Sequence, residues 1–300
     1  QSAGYVLGAF MTGADAAAPF SQSPLAGGVQ SASASARGAW VQASGSRFDV
    51  AFDGSTPGTV SGSSQRLQFG YETLAESDGA GQWVLGLTGQ IGSFSATTAT
   101  LAGSSTIEGE GFGLGATAAW FGPNGVYVDT SAQINRLSID YASNGVALAS
   151  SETALSFGLS AELGQRIALN AQEAIVPHVQ LSWSHVEGQA FTDAQGTPVG
   201  IASANRVIGR FGVTYERATP QAALFYAKAN MLHDFSADSD ANVGGTALAG
   251  TFEDTWVEVG LGGSRVWDQN KTIYGDLSYK RGLDSSSDAV SLNAGFKMVW

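Results

Sequence analysis

From Arg37 to Trp300 the chain repeats one pattern: an apolar side chain at every second position, set against a small, polar or charged one. In the stretch 155–167, Leu155, Phe157, Leu159, Ala161, Leu163 and Ile167 share one parity, and Ser156, Gly158, Ser160, Glu162, Gly164 and Arg166 take the other. Phe112, Leu114, Ala116, Ala118 and Trp120 alternate in the same way with Gly111, Gly113, Gly115 and Thr117, and Val207, Phe211, Val213 and Tyr215 with Arg206, Arg210, Gly212, Thr214 and Glu216. A period of two is the mark of a strand with one apolar face. Twelve strands follow, over 37–48, 65–75, 82–95, 109–121, 125–140, 153–169, 174–187, 204–217, 221–235, 254–267, 271–281 and 289–300. The connections alternate in length. Those at 49–64, 96–108, 141–152, 188–203, 236–253 and 282–288 are mostly long and rich in Ser, Thr, Gly, Ala and Asp. Those at 76–81, 122–124, 170–173, 218–220 and 268–270 are short and carry turn signals such as Asp78-Gly79, Gly122-Pro123-Asn124-Gly125 and Thr219-Pro220. Such a meander has long loops on one rim and tight turns on the other.

Charges in mid-strand fall opposite the apolar face. A Lys or Arg facing lipid near the midplane of a bilayer costs roughly 2–4 kcal/mol, whereas in a wet lumen it costs little. No run of about 18 apolar residues is present, so no transmembrane helix is expected, but a barrel strand crosses with only about 9–11 residues. Only a closed sheet pairs all its backbone groups inside hydrocarbon. The reading is therefore all-β: a transmembrane, antiparallel, up-and-down barrel of twelve strands over 37–300, rather than the core of a large soluble β protein. Its lumen set is Glu72, Glu162, Arg166, Arg210, Glu216, Lys228, Glu258, Asp276 and Lys280. A bore polar along its whole length predicts ion conduction once residues 1–36 are removed. Four residues break the parity: Arg136 and Arg265 fall on the lipid side, and Leu224 and Leu232 point into the lumen.

The formal charge of −12, with no basic stripe, argues against a nucleic-acid partner. Zero cysteines exclude disulfides and thiolate metal sites. The three histidines, His178, His185 and His233, do not join a nucleophile along their strands, and Asp238, Asp240 and Asn242 begin a calcium loop that Val243 and Ala249 fail to complete. No catalytic residue, metal or cofactor is predicted. Residues 1–36 differ in kind from the rest: they are nearly uncharged and rich in small residues, with Pro19 and Pro24. They read as a lead-in or linker.

The last stretch, DAVSLNAGFKMVW, alternates to the end and closes on an aromatic. Together with the opening ARGAWVQASGSRFDV, the pair EGFGLGATAAWFGPNGVYVDTSAQINRLSIDY and the stretch ALSFGLSAELGQRI, it resembles the translocator domain of an autotransporter (type V secretion). The resemblance implies a monomeric barrel in the outer membrane of a Gram-negative bacterium, surrounded by lipid, with long loops extracellular and the C-terminus periplasmic. It implies a passenger upstream, secreted and anchored through the barrel, and a linker at 1–36 in or near the pore. It also makes Leu292, Phe296, Met298 and Trp300 the signal read by the barrel-assembly machinery. The chain departs from the family pattern in two ways. Gly4, Gly8, Gly13 and Pro19 disfavour a long linker helix, and no Asn precedes Asn124 to cut the linker. The alternatives are a twelve-stranded porin or channel and, further off, an outer-membrane enzyme or adhesin barrel.

Overall fold

The computed structural model describes residues 37–300 apart from 55–56, 79–80, 102, 193–195, 197, 202, 237, 244–245, 253 and 269. The proposed linker at 1–36 lies outside the described residues. The strands are β1 (Gly38–Gly54), β2 (Gly58–Asp78), β3 (Gly81–Thr100), β4 (Gly103–Phe121), β5 (Val126–Ser143), β6 (Val146–Gln165), β7 (Ile167–Ala168), β8 (Glu173–Val186) and β9 (Gln189–Thr192). The chain continues through β10 (Pro198–Ile201), β11 (Ala204–Ala218), β12 (Ala223–Asp234), β13 (Asp238–Val243), β14 (Thr246–Phe252), β15 (Thr255–Asp268), β16 (Lys271–Gly282) and β17 (Asp288–Val299). Twelve staves, β1–β6, β8, β11, β12, β15, β16 and β17, form a closed antiparallel barrel, with β7 extending β6 along β8. The ring closes between β1 and β17, in register from Gly38↔Val299 to Asp49↔Asp288.

The barrel is inside-out by the standards of a water-soluble domain. Its outward side chains are apolar and open, including Leu87 at 68%, Leu114 at 68% and Leu261 at 69% exposure. Gln42, Gln68, Glu72, Asn135, Glu162, Gln180, Arg210, Lys228 and Glu258 are buried. An apolar surface wrapped around a whole barrel is stable only against lipid.

All twelve staves arise where the alternation predicts them, but six are longer than predicted. Strands β1 to β6 run 17, 21, 20, 19, 18 and 20 residues, well beyond the roughly 9–11 that cross a membrane. The segments 49–64, 96–108 and 141–152 are therefore not loops: nearly all of each is strand, turned over a few residues. Asn144 and Gly145, at φ 49° and 77°, make the two-residue turn between β5 and β6, a geometry that needs left-handed backbone at both positions. The physical reason for the difference lies in the faces. In these extensions the outward parity carries Asp49, Ser61, Thr97 and Glu108, so the signature of lipid contact ends while the strand continues.

Two further segments predicted as loops contain hairpins, β9–β10 and β13–β14. β14 pairs with the end of β1 from Phe52↔Phe252 to Gly54↔Gly250, taking over where β17 stops, and β13 pairs with β10 from Val199↔Val243 to Ile201↔Ala241. The hairpins thus continue the wall above the shorter staves, on the rim opposite the tight turns.

Candidate functional site: the bore and the closing strand

The bore has two zones, and the lumen residues named from the sequence all belong to the first. At the level of the lipid-facing band the inward side chains are mostly polar or ionisable, and most of the acidic and basic ones are paired. Arg210 on β11 donates to Glu162 on β6 at 3.0 Å, and the Tyr127 hydroxyl donates to the other oxygen of Glu162 at 2.7 Å. Asp129 stands opposite Glu162 in the β5–β6 register. Lys228 lies 3.4 Å from both Glu258 and Asp276, and Lys280 lies 3.6 Å from Glu258. Asn230 donates to Glu258 at 2.7 Å and meets His178 at 3.0 Å. Lys297 reaches Glu72 at 2.9 Å, and Arg166 reaches Glu216 at 2.9 Å.

Several of these pairs join staves that are not neighbours. Lys297–Glu72 passes over β1, Arg210–Glu162 over β8, and Lys228–Asp276 over β15. A wall that curves inward brings next-nearest staves within reach of long side chains, and small residues between them leave the way clear. Glycine on the inward parity serves a second purpose besides leaving room. Tyr127 lies over Gly164, where an added Cβ would sit 2.5 Å from the ring, and Tyr274 lies over Gly295, where it would sit 2.3 Å away. The lumen set read from the sequence left out Asp129, Asp234 and Lys297, and also Arg206, although its place on the polar face of its strand was recognised. Each has the inward parity, so the signal was there; Arg206 and Asp234 pair at 2.6 Å across the β11–β12 hairpin, and Lys297 finds Glu72 only where the ring closes.

The second zone corrects the reading of a bore polar throughout. Past the lipid-facing band the inward parity is apolar. Val50, Phe52, Val60, Phe94, Ile107, Leu137, Ile139, Tyr141, Val186, Ile208, Leu232, Phe252 and Trp256 are all buried and pack into one cluster. The cluster draws on staves from all round the barrel. Phe52 meets Phe252 at 5.3 Å between ring centres, and Tyr141 stacks on Phe191 at 5.3 Å while its hydroxyl donates to Gln189 at 2.6 Å. The inward Leu232 is a member of this cluster; Leu224 is buried on the bore side near the tight turns. Arg136 and Arg265 remain outward and exposed.

The closing strand β17 turns Leu292, Phe296, Met298 and Trp300 to the outside; Leu292 and Trp300 are both 57% exposed. The Trp300 amide donates to the Arg37 carbonyl at 2.9 Å, and its ring lies 6.2 Å from that of Tyr71 on β2. The last residue is therefore tied to the start of the first stave. The histidines lie apart: His178 on Asn230, His185 on Asn205 and His233 on Thr255. Among the described residues no three His, Asp or Glu side chains form a group able to hold a metal.

Residues 39–278 match the family model described as the autotransporter beta-domain. The adhesin BmaC autotransporter of Brucella suis is 26% identical over 248 residues, covering 78% of this chain and 7% of BmaC. This chain thus spans a small fraction of that relative's length. Among solved structures, the transport unit of the autotransporter AIDA-I from Escherichia coli superposes with a TM-score of 0.72 at 17% identity, covering 91% of this chain and 92% of that one. The beta domain of the Bordetella autotransporter BrkA gives 0.68 at 18% identity, covering 88% of this chain and all of the other.

Proposed function

The chain belongs to the autotransporter β-domain family, and we propose how its parts share the work of that family. It is a translocator barrel, an outer-membrane protein of the type V secretion class, and β-domains of this kind carry a passenger. The family is one of translocator domains, not of enzymes. In the proposal, residues 1–36 are the linker to the passenger and enter the bore from the rim of tight turns. That rim faces the periplasm, and the long strands β1–β6 project outside. The barrel works as a monomer and has no chemical step of its own; the wall carries lipid on one face and the passing chain on the other. The observation that carries this reading is the inside-out wall, closed between β1 and β17, with apolar side chains outside and a network of salt bridges and hydrogen bonds inside at membrane level. A constitutive porin fits less well, because the apolar cluster fills the outer part of the bore with side chains that do not hydrate ions.

Within this reading, Leu292, Phe296, Met298 and Trp300 are the docking signal for the assembly machinery, presented as one outward stripe at the end of the chain. Removing Trp300 is expected to lower insertion into the outer membrane several-fold. Heat-modifiable mobility on gels and surface exposure of the barrel measure it. Unchanged mobility and exposure would remove the docking role.

A further inference from the structure

The outside of the long strands carries a sharp boundary. Leu67, Ile91 and Phe112 are paired in register and form the last apolar row of the band. Two residues further along each strand, the outward row becomes Gln65, Ser93, Glu110 and Ser138. Arg136 breaks this order. It is paired with Phe112 and with Leu155, so its guanidinium leaves the wall within the apolar row. It is exposed and makes no ion pair among the described residues. Around it lies a groove of about 900 Å³ that straddles the boundary, with Leu67, Ile91 and Phe112 on the apolar side and Gln65, Glu110 and Ser138 on the polar side.

We propose that this groove is a binding site for a phosphorylated glycolipid of the outer leaflet. An arginine at the edge of the hydrocarbon layer is matched by an anion at headgroup depth, and a guanidinium takes a phosphate in paired, charge-assisted hydrogen bonds. A bare anion would be repelled by Glu110, which is diagonal to Arg136 in the β4–β5 register. Glu110, Gln65 and Ser138 instead suit the hydroxyls of a sugar attached to the phosphate. The acyl chains then run down Leu67, Ile91 and Phe112 into the band. The assignment to the outer leaflet rests on the orientation proposed above; the chemistry of the groove does not.

The test uses the full chain folded in detergent, with native mass spectrometry to count retained lipid. Lipid A carrying both phosphates, lipid A with its phosphates removed, phosphatidylethanolamine and phosphatidylglycerol are offered separately. Retention of the phosphorylated lipid A above the other three is expected. Arg136→Gln should weaken it by about tenfold, the scale of a charged hydrogen bond. Arg265→Gln, outward at the opposite rim, should leave it unchanged. Equal retention of all four lipids, no retention at all, or no change in Arg136→Gln would overturn the proposal. Heat-modifiable mobility of the same samples reports the barrel itself, so loss of lipid with an intact barrel counts against the groove and not against the translocator.

Discussion

Replacing Ile139 by asparagine should destabilise the barrel by about 3–5 kcal/mol and open its bore to ions. Ile139 is fully buried in the apolar cluster, beside Leu137 at 1% exposure. The substitution removes the burial of one aliphatic side chain, about 1.5–3 kcal/mol, and leaves an amide short of partners, about 1–3 kcal/mol more. Unfolding in denaturant, followed in detergent, measures the first effect. Planar-bilayer recording measures the second. A narrow apolar section sheds water and blocks ions even when the pore on either side is polar. The barrel without residues 1–36 should therefore stay silent, in contrast to what a bore polar throughout would do, and Ile139→Asn should make it conduct. Steady conductance from the unsubstituted barrel would show that the cluster does not close the bore.

Arg210→Met should cost about 3–5 kcal/mol, because it strands a buried carboxylate. The Arg210 and Glu162 side chains are 2% and 3% exposed. Glu162 already faces Asp129 across the β5–β6 register, so loss of the guanidinium sets two carboxylates together without the cation between them, while the Tyr127 hydroxyl still donates to Glu162. The double substitution Arg210→Met with Glu162→Leu should recover most of the loss, since a buried ion pair is often replaced by apolar groups at little net cost. Denaturant midpoints of the three variants decide it. If Arg210→Met alone lost less than about 1 kcal/mol, the pair would be solvated like a surface bridge.

The parity of the side chains carried most of this fold. Leu155 to Leu163 against Ser156 to Gly164 places a strand, its lipid face and its inner face without any knowledge of neighbours. What it did not carry has a physical cause. From Leu137 to Tyr141 the apolar residues move to the other parity, and Val50, Phe52 and Val60 lie on the inward parity of their strands. The period of two persists, but its sense is inverted because water replaces lipid outside and side chains replace water inside. A search for lipid-facing apolar stripes reads the segment of Val50, Phe52 and Val60 as loop and ends the strand of Ile139 at 140. The hairpin β13–β14 lacked even that pattern; its pairing with β1 and β10 is a tertiary contact. Inward charges could be named one by one, but Lys297 finds Glu72 only once β17 has closed on β1, and that register is absent from local sequence. Arg136 was visible as an exception, and only the register put it in the last apolar row.

The absence of cysteine makes the central claim open to one direct measurement. Leu114→Cys and Thr117→Cys, on opposite faces of β4, can each carry a single nitroxide in lipid vesicles, read by collision with oxygen from the lipid and with a nickel complex from the water. The inside-out wall predicts that the label at Leu114 meets oxygen and is shielded from nickel, and that the label at Thr117 shows the reverse preference. Nickel reaching the Leu114 label as freely as a label in solution would contradict a wall whose apolar face touches lipid.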